Sequence, residues 1–163
     1  MPLAILHMSS GALSENRLSD AVSDITDIFL EAQGAIPGSQ AARAIARIDV
    51  VEMPSNRTFI GGQPHEGPPV YRIEFTTPAG AMDSQKRKRL VWRATDAILR
   101  AEGADLTDEN NRHRVWCIVT NVPDGNWACA GDIYTWDSIK RWVILREIRL
   151  RKQMKRLLQP SVQ

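Results

Sequence analysis

"SGALSENRLSDAVSDITDIFLEAQGA" (residues 10–35) and "AGAMDSQKRKRLVWRATDAILRAEGA" (residues 79–104) are one passage written twice. A shift of 69 positions lays Gly11 on Gly80, Ala12 on Ala81, Val22 on Val91, Thr26-Asp27 on Thr95-Asp96 and Gly34-Ala35 on Gly103-Ala104, without a gap. The frame continues outward to Pro54 on Pro123 and Gly62 on Gly131. A register held over about sixty residues is the mark of an internal repeat, and it governs how every other segment is read.

Each copy predicts strand, helix, strand and hairpin. In the first, "LAILHM" (3–8) is a short apolar run and Ser14 stands at an N-cap position. Leu18, Ala21, Val22, Ile25, Ile28, Phe29 and Ala32 then recur at helical spacing until Gly34 supplies a left-handed stop. "ARIDVVEM" (46–53) reads as the second strand and "PSNRTFIGG" (54–62) as a glycine-ended hairpin. The second copy repeats the order: "VYRIEF" (70–75), N-cap Asp83, a helix through Ala101, the Gly103 stop, "RVWCIVTNV" (114–122) and "PDGNWACAG" (123–131). A strand–helix–strand unit crosses over with its strands parallel and its helix on one sheet face. The expected fold class is therefore α+β: a duplicated β-α-β unit forming a four-stranded mixed sheet with two helices on one face. The other face is expected to stay apolar, through residues such as Ile48, Val50 and Ile118 or their neighbours, and symmetric self-association is its simplest cover.

This predicts a single domain over residues 2–135 made of two repeats (2–62 and 71–131), then an amphipathic helical extension over 136–163. The extension departs from the rest in charge. Residues 138–163 carry eight Lys and Arg against the one acid Glu147, whereas the remainder holds 13 basic and 18 acidic side chains. Ile139, Trp142, Val143, Leu150, Met154, Leu157 and Leu158 suggest one apolar stripe among these cations. Such a helix either lies on an anionic membrane or packs against an acidic protein body, and the acidic remainder of this chain favours the second.

With 163 residues, 43% hydrophobic and 25% charged, the chain is of ordinary globular composition and large enough for a core without disulfides. It shows no secretory signal pattern and no run of about 20 apolar residues, so the reading is cytoplasmic, with no membrane partner. Cys117 and Cys129 form no metal-like or redox spacing, and His7, His65 and His113 have no ligand spacing, so no metal and no cofactor are expected. "QKRKRLVWR" (85–93) has the look of a nucleic-acid tract, but its charges point all round one helix on an acidic body. It reads as a solvated surface rather than a nucleic-acid site.

Pro2 is a permitted first residue of a strand. Once Met1 is removed it carries a free secondary amine. Its repeat counterpart is Tyr71, an internal residue with no such amine. Pro2 heading a strand, the duplicated unit and the glycine-bearing hairpin that ends each unit together resemble the tautomerase superfamily. Its members include 4-oxalocrotonate tautomerase and cis-3-chloroacrylic acid dehalogenase. The resemblance covers about residues 2–135 and is carried by "MPLAILHMSSGALSE", "EMPSNRTFIGG" and "VWCIVTNVPDGNW". It implies a fused, double-length member with one active site per chain, a homotrimer, and a small carboxylate substrate. The implied activity is keto–enol tautomerisation of a 2-oxo or 2-hydroxy-enoic acid, with Pro2 as the catalytic base and acid. The alternatives are a related proline-dependent dehalogenase, hydratase or decarboxylase, and a non-catalytic oligomeric protein of the same fold.

The resemblance also implies substrate-binding roles. Arg47 stands where such tautomerases carry an arginine for the substrate carboxylate, and Trp127 aligns with an aromatic wall beside the proline. Phe59, whose repeat partner Ala128 stands one position from Trp127, is a second candidate for that wall. Asn121 is a candidate to orient a carbonyl, with Arg72 and Arg114 behind it. A second family arginine is missing, because Ala12 and Ala81 follow the first-strand glycines. The dehalogenase pattern is missing more broadly: Phe29, Ile118 and Cys129 stand at its histidine, tyrosine and water-activating glutamate positions. The decarboxylase's arginines have no counterpart in "TTPAGAMD" (76–83).

Overall fold

The computed structural model describes residues 2–157. The first repeat runs β1 (Leu3–Ser9), α1 (Glu15–Ala32), a short α2 (Gln40–Arg43), β2 (Arg47–Met53) and a hairpin of β3 (Phe59–Ile60) and β4 (Gln63–Pro64). The second runs β5 (Tyr71–Pro78), α3 (Ser84–Glu102), a short α4 (Glu109–His113), β6 (Val115–Val122) and a hairpin of β7 (Trp127–Cys129) and β8 (Asp132–Tyr134). A long helix, α5 (Trp136–Leu157), follows both.

The main sheet has the order β2-β1-β5-β6. β1 is parallel to β2 and β5 to β6, as crossover units require, while the central β1–β5 pair is antiparallel. Alternation along β1 buries Ala4, Leu6 and Met8, and along β5 it buries Tyr71, Ile73, Phe75 and Thr77, all toward α1 and α3. Phe29 of α1 meets Phe75 edge-on, with ring centroids 4.9 Å apart. In the same layer Gln33 donates to the Thr77 hydroxyl at 2.7 Å, so two buried polar groups satisfy each other. Gly34 and Gly103 end the two long helices at φ 83° and 85°, and the following residues, Ala35 and Ala104, donate back to Leu30 and Leu99. Only glycine takes that turn without a Cβ penalty, which is why both copies keep it. Asp83 caps α3 by accepting from the Lys86 amide at 2.7 Å. Ser14 holds the equivalent position before α1, but its hydroxyl makes no cap bond; only its carbonyl accepts, from Leu18.

Three expectations are corrected. Ile48 and Val50 lie level with Ala4 and Leu6 in the parallel register, so they extend the helix-side layer at the sheet edge rather than the open face. The open face carries Ile5, Val51, Trp116 and Ile118, but a polar band crosses it. In that band Arg72 pairs with Glu74 at 2.8 Å, with His7 3.5 Å from the same carboxylate, and Arg47 pairs with Asp49 at 2.9 Å. Along α5 the expected apolar stripe is only partly used. Ile139 is buried and Val143 and Leu150 are half-buried, whereas Trp142, Met154 and Leu157 are exposed; Leu158 lies outside the described residues. Among the described residues no helix is long and apolar enough to cross a membrane.

Helix α5 is fixed to α2 by one carboxylate. Glu147 accepts from the Ser39 hydroxyl at 2.9 Å and from the Ala41 amide at 3.2 Å, and its other oxygen takes Arg151 Nε at 3.0 Å. The three donors hold its carboxyl below the usual range, Arg151 contributing most.

Candidate functional site

Pro2 is buried at the entry to β1, on the helix side of the sheet. Its carbonyl accepts from the Arg47 amide at 3.0 Å, which fixes the backbone one residue before the parallel ladder begins. Beside it lies a cavity of about 170 Å³. Leu30, Ile36, Trp136, Ile139 and Ile144 give this cavity an apolar lining, and α5 closes it from above. Its polar members include Gln33 and Lys140. Lys140 is paired with Asp137 at 2.6 Å and stands 5.5 Å over the Trp136 ring. An amine in such surroundings loses hydration, and burial of this kind favours its neutral form.

The other candidate residues lie at varying distances from Pro2. Arg47 is one backbone hydrogen bond away, but it lies opposite Leu3 in the register, so its side chain projects onto the open face. There it is 74% exposed and bonded to Asp49, which raises its already high pKa chiefly through that hydrogen bond. Asn121 lies opposite Thr77 on β6, exposed, two strands from β1. Trp127 is half-buried at the head of β7, paired with Tyr134, and does not line the Pro2 cavity. Phe59 lines a different cavity, beside Tyr71, together with Arg72 and Arg114. Within one chain, then, Pro2 and the Arg47 backbone come together, while Trp127, Phe59 and Asn121 do not join them.

Sequence reasoning overlooked Gln33, Trp136 and Lys140. Trp136 and Lys140 fall in the extension, outside the repeat frame. The signal for them was Glu147, the one acid among residues 138–163 and the long-range anchor of the helix. Cys117, on the helix-side face of β6, is not reactive chemistry in waiting: burial pushes its thiol up to about 11, partly offset by the Thr95 hydroxyl.

No family model matches this chain, and no curated protein matches it. Solved structures do. N1, a member of the cis-3-chloroacrylic acid dehalogenase family, superposes with a TM-score of 0.69 over 94% of this chain and 98% of its own, at 14% identity. A wild-type fused 4-OT symmetric trimer gives 0.65 over 83% and 97%, also at 14% identity. The macrophage migration inhibitory factor of Toxoplasma gondii gives 0.61 over 81% and 99%, at 13% identity. The chain has the tautomerase fold. Within that fold the two halves differ at the residue heading the first strand, Pro2 in one and Tyr71 in the other. The tautomerase fold thus presents two structurally equivalent ends here, of which one has a buried proline and the other a buried phenol.

Proposed function

We propose that this protein is a keto–enol tautomerase in which the amine of Pro2, freed by removal of Met1, moves the proton. The observation that carries this reading is the burial of Pro2 against an apolar cavity at the head of β1. An α-amino group titrates near 7.7–8.0 in water, and apolar enclosure lowers that value, which makes the neutral amine more available as a base. The neutral nitrogen takes the hydroxyl proton of an enol. The O–H electron pair becomes the carbonyl π bond, and the former C=C pair accepts the proton from the resulting ammonium at carbon. Atoms and charge balance without any further reactant.

The proposed substrate is a small 2-oxo or 2-hydroxy-enoic acid, whose carboxylate would meet Lys140 in the Pro2 cavity, while the Arg47 side chain lies on the opposite face of the sheet. Arg47 would meet a carboxylate only by exchanging it for Asp49, as Lys140 would for Asp137. A trimeric assembly, as in the fused 4-OT trimers, would be needed to bring Trp127 or Asn121 of a neighbouring copy toward the site. Hydrolytic dehalogenation is disfavoured. Phe29 is locked in the core against Phe75, Ile118 is on the open face and Cys129 is on an exposed hairpin, so no carboxylate is at hand in those positions to activate water. The competing reading, a fold kept for assembly alone, draws on the pairing of both cations with aspartates.

The test is ketonisation of phenylenolpyruvate followed by ultraviolet absorbance, on protein whose intact mass shows that Met1 is gone. Substituting Pro2→Ala replaces the secondary by a primary amine and is expected to lower kcat/KM by about a hundredfold, the lower end of what a positioned acid–base group contributes. Equal rates for the two proteins would remove Pro2 from the mechanism, and absence of activity in both would favour the assembly reading.

A further inference from the structure

A cavity larger than the one beside Pro2 lies elsewhere among the described residues. It opens between the end of β1, the start of β5 and the β3–β4 hairpin, and measures about 630 Å³. That lies within the range of roughly 300–1,000 Å³ in which small-molecule sites fall. Its apolar wall is made by Met8, Met53, Phe59, Ile60, Tyr71 and Trp116. Its polar lining is distinctive: all three histidines of the sequence (His7, His65 and His113), with Arg72 and Arg114, and no aspartate or glutamate.

A second observation is independent of shape. Among the described residues, three buried side-chain polar atoms lack a hydrogen-bond partner: His7 Nδ1, the Tyr71 hydroxyl and Arg114 Nε. All three belong to residues lining this one cavity. Unpaired buried donors are costly and rare in native structures. Two of the three, the phenol and the guanidinium N–H, can donate, and the imidazole nitrogen donates in one tautomer. The two arginines are balanced from behind, Arg72 by Glu74 and Arg114 by Glu102, so the lining offers directed donors more than net charge. His65 spends its ring nitrogen on the Pro68 carbonyl at 2.8 Å and is a wall rather than a donor. No group of three His, Cys, Asp or Glu among the described residues is arranged for a metal ion, so the histidines point to an organic acceptor.

We propose that this cavity is a second ligand site, separate from Pro2, for a small apolar carboxylate: an aromatic or branched hydrocarbon body bearing one anionic, hydrogen-bond-accepting head. The body lies among Phe59, Ile60 and Trp116, whose exposed rings and chains rim the opening. The head is set against the imidazoles and Arg72 that line the cavity on β1, β5 and the α4–β6 corner. The repeat explains why such a site is a binding site and not a second reaction centre: the residue heading β5 is Tyr71, whose backbone nitrogen is an amide bonded to the Arg114 carbonyl at 2.9 Å.

The experiment is a titration of the full chain with 3-phenylpropanoate, and in parallel with its neutral amide, observed through the imidazole nitrogen signals. Every histidine lines the cavity, so every such signal reports on it. Saturable shifts at or below about millimolar carboxylate are expected, with the amide at least tenfold weaker. Phe59→Ala and Trp116→Ala, both at exposed positions that leave the core intact, should weaken binding about tenfold. Lys140→Ala, in the Pro2 cavity, should leave it unchanged. The proposal is overturned by any of three results: no shift, equal affinity for acid and amide, or binding lost in Lys140→Ala but kept in Phe59→Ala. None of these bears on whether Pro2→Ala abolishes tautomerisation, so the two readings fail separately.

Discussion

The ion pair between Glu102 and Arg114 gives the sharpest quantitative test of how the two repeats diverged. It is bidentate, with Nη1–Oε1 and Nη2–Oε2 both at 2.9 Å, and the side chains are only 15% and 12% exposed. Arg114 also donates to the Pro69 carbonyl and to Asn111 Oδ1, so it ties the end of α3 to the residues entering β5 and to the α4–β6 corner. The repeat counterparts of Glu102 and Arg114 are Gln33 and Ile45, which form no ion pair; Gln33 turns to Thr77 instead. Removing one partner of a buried pair strands the other charge, at a cost of about 3–5 kcal/mol. Arg114 keeps two carbonyl acceptors and some water, so Glu102→Gln should cost somewhat less, about 2.5 kcal/mol, and Arg114→Ile a similar amount. Making both changes transplants the solution of the first repeat, and replacing a whole buried pair is often near neutral. The double substitution should therefore cost about 2 kcal/mol, a coupling of about 3 kcal/mol between the sites.

Urea unfolding followed by circular dichroism measures all four corners of this cycle. It must be run at one protomer concentration, because any self-association would enter the apparent stability. Additive single effects, with the double substitution near 5 kcal/mol, would refute the reasoning, since that value is about the sum of the two singles. So would a Glu102→Gln cost under about 0.5 kcal/mol, which would make the pair no better than a solvated surface contact.

Phe29→Ala removes a ring that is 2% exposed and edge-on to Phe75, and should destabilise by about 3–5 kcal/mol in the same urea assay. Glu147→Ala should free α5 from α2, so that its amides exchange with deuterium faster while those of α1 do not change. Because the Glu147 carboxyl is held below its unfolded value, its anchoring is complete above about pH 4.3 and is lost as pH falls through the folded value, so acid should reproduce the substitution. Burial, with a further push from Glu102 and an opposing pull from Arg114, raises the Tyr71 phenol above its usual range. Its stabilising effect is therefore intact below about pH 10 and lost as pH rises beyond it, and Tyr71→Phe should flatten that alkaline decline in a stability-against-pH series.

The fold was legible because the repeat turns one reading into two. Gly34 and Gly103 could each be an ordinary loop glycine; found at one offset behind two periodic apolar helices, they fix both helix ends and the crossover. What the frame could not supply was anything settled by contacts outside it. Ile48 and Val50 sit on an edge strand whose facing depends on register with β1, and a shift of one residue would reverse it. The short helices α2 and α4 are each a single turn or little more, below the length at which periodicity shows. Phe59 went to the Tyr71 cavity because a hairpin's direction is set by its bends, not by its alignment partner. The cover over Pro2 was invisible for a similar reason: Trp136 and Lys140 reach it only because Glu147 finds donors 106 and 108 positions away.

That docking also explains why α5 closes one end of the molecule and not its equivalent. In the first repeat Ser39 caps α2 with an uncharged hydroxyl, which accepts from Ala42 while still donating to Glu147, and the Ala41 amide remains free to donate as well. The counterparts of Ser39 and Ala41 are Asp108 and Asn110. There the cap is a carboxylate, and it already takes the Asn110 amide at 2.9 Å and the Asn110 side chain at 3.0 Å. A glutamate arriving at that corner would meet a like charge and no spare donor, a repulsion with nothing to offset it. The serine-for-aspartate difference between two otherwise matched turns is thus sufficient to choose which end receives the helix. The end it chooses is the one where Pro2, having no aromatic ring, leaves a space for Trp136 and Ile139 to roof. At the other end the Tyr71 ring and the Glu102–Arg114 pair stand at the equivalent positions, and the Asp108 cap gives the carboxylate of α5 no anchor there.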